Sequence, residues 1–193
     1  MALALFALSL VLLDAKHTKS ELWVPLPRDI QRTRWQQCLL STMVPTTLVI
    51  IVFLLVGIAI GYQGAGWPGA RARVLHPYIP TAITLYLPWA LVQQTLFQVY
   101  LLGRLQALFP ALPRLLLSTL NGLAFALVHV TNPWIAVIAA LGGTAWSFLY
   151  LRYRLLWPLA ISHALVGTTF YYWVYGHDLA RQWSSTIQGL FTR

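Results

Sequence analysis

Long apolar runs alternate with short polar segments along most of the chain. Each long run is of the length that a helix needs to cross a bilayer, about 17–25 residues. A shorter apolar run at residues 1–13 would extend only about 20 Å as a helix. The pattern therefore predicts an all-α, polytopic transmembrane helical bundle of five or six spans. The five long runs are residues 39–62, 78–102, 115–131, 134–151 and 155–175.

This pattern divides the chain into three parts. Residues 1–38 are read as a short apolar segment followed by a basic loop, and residues 39–175 as the membrane bundle. Residues 176–193 form a C-terminal tail. Within the bundle, residues 134–151 are rich in glycine and alanine, which favours a central, closely packed helix.

Composition supports a membrane protein, because 59% of the residues are hydrophobic and only 9% are charged. The acidic residues lie outside the long runs, so the membrane interior has no carboxylate to act as a general base or metal ligand. The basic residues are spread over several short loops, which argues against nucleic-acid binding. We expect contact with membrane lipids and with other transmembrane subunits. The four acids are Asp14, Glu21, Asp29 and Asp178.

The charge of the loops predicts the orientation. Residues 14–38, 103–114 and 152–154 fall on one side of the membrane and carry nine of the 13 lysines and arginines. Positively charged loops are retained in the cytoplasm. We therefore expect these loops to be cytoplasmic and the protein to lie in the plasma (inner) membrane of a bacterium.

Three amides interrupt the second long run, in the sequence LVQQTLFQVYLL. Gln94 and Gln98 are four residues apart, so an α-helix places them on one face, with Gln93 about 100° away. Polar residues at this depth usually face protein or a water-filled cavity. His129 and His163, in later apolar runs, are candidates to meet that face. Asn121 lies eight residues before His129 and would extend the network.

The same residues resemble the motifs of the CAAX-protease and bacteriocin-processing (CPBP, or ABI) family of intramembrane proteases. The segment from Gln93 to Gln98 occupies the place of the family's EExxxR motif. FALVH, from Phe125 to His129, matches FxxxH, and HALVG, from His163 to Gly167, matches the start of a third motif. The resemblance covers about residues 78–175 and implies a CPBP-like helical core there.

The departures from these motifs change the expected chemistry. Gln93 and Gln94 stand where the family has glutamates, Gln98 where it has arginine, and Gly167 where it has asparagine. In the family, the first glutamate is thought to activate a water, while the histidines and the asparagine hold the oxyanion. A primary amide does not accept a proton as a carboxylate does, and a buried arginine without its counterion is costly. The three glutamines are therefore interpreted as one neutralised ionic cluster.

The leading hypothesis is a protease-dead, CPBP-like membrane protein that acts as a scaffold or accessory subunit of a larger membrane complex. On this view no residue is catalytic, and the glutamines hydrogen-bond neighbouring helices. The motif-equivalent positions are Gln93, Gln94, Gln98, Phe125, His129, His163 and Gly167.

Two other interpretations are open. An active endopeptidase would use His129 or His163 as its base, without an orienting carboxylate and without one oxyanion donor. Alternatively, these histidines would ligate a haem or pigment metal. Two imidazoles alone make a poor zinc site, so no metal site and no cofactor are predicted. His129, close to the end of its run, is also explained as a histidine at the membrane interface.

Overall fold

Helices run through most of residues 28–181, the part of the chain that the computed structural model describes, with side chains from residue 32 onward. These residues contain no strand, and the predicted all-α class is confirmed. The predictions for residues 1–27 and 182–193 lie outside the described part. The helices are α1 (Arg28–Val74), α2 (Ile79–Gln94), the π-helical segment π1 (Thr95–Leu101), α3 (Leu102–Leu108), α4 (Arg114–Leu127), α5 (Pro133–Tyr153), α6 (Trp157–Thr169) and the π-helical segment π2 (Phe170–Tyr175).

Helix α1 is longer than the predicted span of residues 39–62. It begins directly after Pro27 and continues to Val74, with one break at Ala65 and Gly66. Gly66 has a φ of 63°, a left-handed conformation that glycine adopts without steric cost. Pro68 follows in the first turn of the new helical segment, where its missing N–H is not needed. The polar stretches at residues 14–38 and 63–77 were predicted to be loops. Residues 28–38 and 63–74 of these stretches are helical instead, so the prediction is wrong there.

Other predicted boundaries also shift. The basic turn at residues 103–114 contains helix α3, and only residues 109–113 connect it to α4. Helix α5 extends to Tyr153 and ends at Arg154, which adopts a left-handed conformation with a φ of 55°. Within the described part of the chain, two helices are long and apolar enough to cross a membrane, Arg32–Val74 and Pro133–Tyr153. The total of five or six spans stays a prediction.

The described residues form two compact units. The first unit contains residues 28–42 and 91–160, and its core includes Phe97, Leu102 and Leu159. Helices α4 and α5 pack very closely in this unit. A Cβ atom at Gly143 would lie 3.0 Å from the Cα of Gly122, so both helices need a glycine there. The close packing predicted for the small-residue helix is thus confirmed.

The second unit contains residues 43–90 and 161–181. A Cβ atom at Gly57 would lie 2.8 Å from the Cβ of Trp173, and one at Gly61 would lie 2.8 Å from the Cα of Ala70. This GxxxG pair therefore serves packing within the chain.

The end of π2 is fixed by Arg73, also in the second unit. Its guanidinium donates to the carbonyl oxygens of Trp173 and Val174, at 2.6 and 2.8 Å. The indole of Trp173 donates in turn to the carbonyl of Val74 at 3.2 Å. These bonds satisfy carbonyl groups that a helix leaves unpaired at its C-terminal end.

Candidate functional site

The three glutamines lie where α2 passes into π1. Gln93 and Gln94 are the last residues of α2, and Gln98 lies within π1. All three side chains are buried. Bonding in a π-helix runs from residue i to i+5, so residues five apart approach one another as well as those four apart. Gln93 and Gln94 line the same crevice as Gln98 at this passage from α-helix to π-helix.

Gln98 belongs to a hydrogen-bonded network inside the first unit. The amide nitrogen of Asn121 donates to the Oε1 atom of Gln98 at 3.4 Å and to the hydroxyl of Ser147 at 2.8 Å. Ser147 donates to the carbonyl of Gly143 at 2.6 Å. The network joins π1, α4 and α5 through neutral groups, and Asn121 takes part as predicted. Ser147 was not singled out from the sequence, although it is one of the few polar residues of α5.

Aromatic rings surround the amides. The crevice is lined by Phe97, Phe125 and Trp146 together with the three glutamines. Phe125 lies edge-on to Phe97, with the ring centroids 4.7 Å apart, and 6.2 Å from Trp146. Phe125 therefore packs in the core of this unit, between the crevice and the turn that follows α4.

His129 does not lie within a transmembrane helix, as the predicted span of residues 115–131 required. Helix α4 ends at Leu127, and His129 follows in the turn that leads to α5. Helix α5 then begins after Asn132, whose side chain caps it by accepting from the backbone N–H groups of Trp134 and Ile135. The His129 ring is half-buried and lies edge-on to Phe125 at 5.3 Å.

The third motif lies in the second unit. His163 is buried, and its ring is edge-on to that of Tyr86 at 5.7 Å. Gly167 faces the same tyrosine, and a Cβ atom there would lie 2.8 Å from its Cε1 atom. The asparagine of the family motif would require Tyr86 to move. Tyr86 was not recognised from the sequence and occupies the space that a longer side chain at position 167 needs.

The motif positions thus divide between the units. Gln93, Gln94, Gln98, Phe125 and His129 belong to the first unit, and His163 and Gly167 belong to the second. The predicted meeting of amides and imidazoles in one site stays a prediction. Residues 91–160 contain no aspartate or glutamate. The groups gathered around Gln98 can donate and accept hydrogen bonds, but they include no carboxylate to take a proton.

Over the described residues the protein is helical, with apolar helices of membrane length and with polar groups buried inside its units, as in a helical membrane protein. Residues 75–169 match the family described as Rce1-like, type II CAAX prenyl endopeptidase Rce1-like. This region includes all seven motif positions, and the match supports the assignment to the CAAX-protease (CPBP) family that the motifs indicated. The chain has no significant match among curated proteins or among solved structures.

Proposed function

We propose that this protein is a CAAX-protease family member that does not cleave peptides. It serves instead as a scaffold or accessory subunit of a larger complex in the plasma membrane of a bacterium. Residues 14–38, 103–114 and 152–154 face the cytoplasm, and the partners are membrane lipids and other transmembrane subunits. No cofactor is part of the proposal.

The observation that carries this proposal is the chemistry of the first motif. Gln98, where the family has arginine, accepts a hydrogen bond from Asn121 and is almost fully buried, with 2% of its surface exposed. Gln93 and Gln94, where the family has glutamates, line the same crevice. Hydrolysis needs a group that takes a proton from the attacking water, and amides do not provide one.

A role in a complex is supported by the apolar surface. Leu40 on α1 is 64% exposed and Trp134 at the start of α5 is 75% exposed. Such surfaces suit contact with lipid tails or with the helices of another subunit. Other exposed apolar residues on these helices are Val44, Leu48, Val52, Leu55, Val137 and Leu141.

Gentle purification from the native membrane tests the subunit role. We expect a transmembrane partner to co-purify in a fixed ratio and to be identified by mass spectrometry. A monomer with no stoichiometric partner would contradict the proposed role.

A cleavage assay tests the absence of proteolysis. The purified chain is incubated with prenylated peptides and with leader-type peptides, beside a mock preparation. We expect no difference between the two. Cleavage that disappears in His163→Ala and is absent from the mock preparation would establish the histidine-dependent endopeptidase instead. An absorption band in the visible range that is lost in the same variant would indicate a haem or pigment.

A further inference from the structure

The direction of hydrogen bonding in the first unit is fixed by Ser147. A serine hydroxyl has one hydrogen, and Ser147 uses it for the carbonyl of Gly143. It therefore accepts from Asn121, which must present its NH₂ group to Ser147 and to Gln98. The Oδ1 atom of Asn121 is left as a buried acceptor with no hydrogen-bond partner among the described residues.

A second acceptor lies on the crevice itself. The Oε1 atom of Gln93 is buried and also has no hydrogen-bond partner within the described part of the chain, while 91% of the side chain's surface is covered. A buried acceptor without a donor destabilises the folded state, because the acceptor has lost its hydrogen bonds to water. A donor brought in by a ligand would remove this cost.

The surroundings define the kind of donor. Phe97, Phe125 and Trp146 complete the walls, and none of the described residues that line the crevice is charged. A cationic ligand would have no carboxylate there to pair with, and an anionic ligand would have no cationic side chain. The side chains as they stand leave no space for a water molecule, so a ligand enters only when the walls rotate, and the entering group must be as small as a hydroxyl or an amide N–H.

We propose that this crevice binds a lipophilic molecule through one neutral hydrogen-bond donor, a hydroxyl or an amide N–H, which donates to Gln93. The aromatic side chains hold the apolar part of the ligand beside it. The inference rests on the proposed function in one respect, since a crevice that does not perform hydrolysis is free to retain a ligand.

Four probes with the same hydrocarbon chain test the chemistry on the full-length protein in detergent. Tetradecanol and tetradecanamide carry the donor, methyl tetradecyl ether lacks it, and tetradecanoate offers only acceptors at neutral pH. Binding is measured by native mass spectrometry and by the shift in melting temperature. We expect at least one of the two donors to bind about 3- to 10-fold more tightly than the ether and the carboxylate, the effect of one hydrogen bond. A comparison of the affinities for tetradecanol and tetradecanamide shows which class of lipid is favoured.

Gln93→Met removes the acceptor while keeping the length of the side chain. We expect it to abolish the preference for the alcohol and amide over the ether. Gln37→Met, at an exposed glutamine of the same unit, should leave that preference unchanged. If Gln93→Met does not fold, the affinities of the four probes for the wild-type protein still decide whether a hydrogen-bond donor is required.

Equal binding of ether and alcohol, or an unchanged preference in a folded Gln93→Met variant, would overturn the inference. Its failure is distinguishable from that of the proposed function. If the protein cleaves peptides and still prefers the donor probes, only the non-cleaving role is contradicted. If it neither cleaves peptides nor prefers the donor probes, only the lipophilic ligand is contradicted.

Discussion

The two units treat polar groups differently. In the first unit, the buried network of Gln98, Asn121 and Ser147 is made only of neutral groups. In the second, Arg73 and Asp178 are charged, but both remain partly exposed beside the end of π2. Burying a charge without a partner costs far more than burying a hydrogen-bonded amide. In this comparison the charged side chains lie near the end of a helix. Amides stand at the positions where the family motif has glutamates and arginine.

The largest effect should come from restoring the acids of the family motif. Gln93→Glu with Gln94→Glu places two carboxyl groups in a buried site that lacks arginine at position 98. We expect a loss of about 3–5 kcal/mol in the free energy of unfolding, measured by denaturation in detergent. Adding Gln98→Arg should recover part of the loss.

The same pair of substitutions at Gln36 and Gln37, which are exposed, provides the control and should have little effect. If the buried double variant were as stable as the parent, the interpretation of a neutralised cluster would lose its support.

The next largest effect concerns the packing that holds the neutral network together. In Gly122→Ala, the new Cβ atom would contact Thr144 too closely and lie 2.6 Å from the carbonyl oxygen of Ala140. Because a backbone cannot move as easily as a side chain, α4 and α5 must separate. We expect a loss of about 1–3 kcal/mol in the free energy of unfolding.

Gly103→Ala is the matched control, because its Cβ atom would meet nothing within 4 Å. It should be neutral or stabilise α3 by up to about 1 kcal/mol. Equal melting temperatures for the two variants would contradict the close packing described for α4 and α5.

A smaller effect is expected at Arg73 in the second unit. Arg73→Met removes the two hydrogen bonds to the carbonyls of Trp173 and Val174. Since these bonds are charge-assisted but partly exposed, we expect a loss of about 0.5–1.5 kcal/mol in the free energy of unfolding. Arg71→Met, at an exposed position two residues earlier, should change the free energy of unfolding by less than about 0.5 kcal/mol. A similar result for both variants would show that Arg73 does not stabilise the end of π2.

The smallest effect is the pH dependence of Asp178. Burial acts to raise the pKa of Asp178, but hydrogen bonds from the Tyr172 hydroxyl and the Arg181 N–H outweigh it, so the pKa is lowered overall. A carboxylate with a lowered pKa stabilises the folded state above its unfolded pKa of about 3.9, and this contribution disappears as the pH falls through the folded value.

Melting curves of the wild type and of Tyr172→Phe should therefore differ slightly at pH 7 and converge in acid. Curves that differ by the same amount at all pH values would assign the effect to the other hydrogen bond of the Tyr172 hydroxyl, which accepts from the Ala180 N–H.

Much of the fold follows from the sequence, because apolar runs of membrane length fold as helices. The family and the participation of Asn121 were also predicted correctly. The positions of the helix breaks were not predicted correctly, since glycine and proline permit a turn without requiring one. Residues 63–74 were predicted to be part of a loop, yet a single break at Ala65 and Gly66 leaves the remainder helical.

The site was harder to predict because its geometry depends on contacts between helices. Counting in steps of an α-helix spreads Gln93, Gln94 and Gln98 over about 140° of arc, and it does not predict that all three line one crevice. Ser147 gave only a weak signal, because its helix also carries the hydroxyl of Thr144. Tyr86 gave none, since an aromatic residue in an apolar run is common.

The π-helical segment Thr95–Leu101 also bears on the lineage of this protein. A wide turn holds one more residue than an α-helical turn between the same flanking helices. Loss of a single codon within residues 95–101 would thus yield an ordinary helix with Leu102 still facing the core, whereas a deletion in α5 would rotate everything beyond it by about 100°. A one-residue gap in a relative aligned to this segment therefore corresponds to an α-helix in place of the π-helix. It does not mean that the glutamines are misaligned.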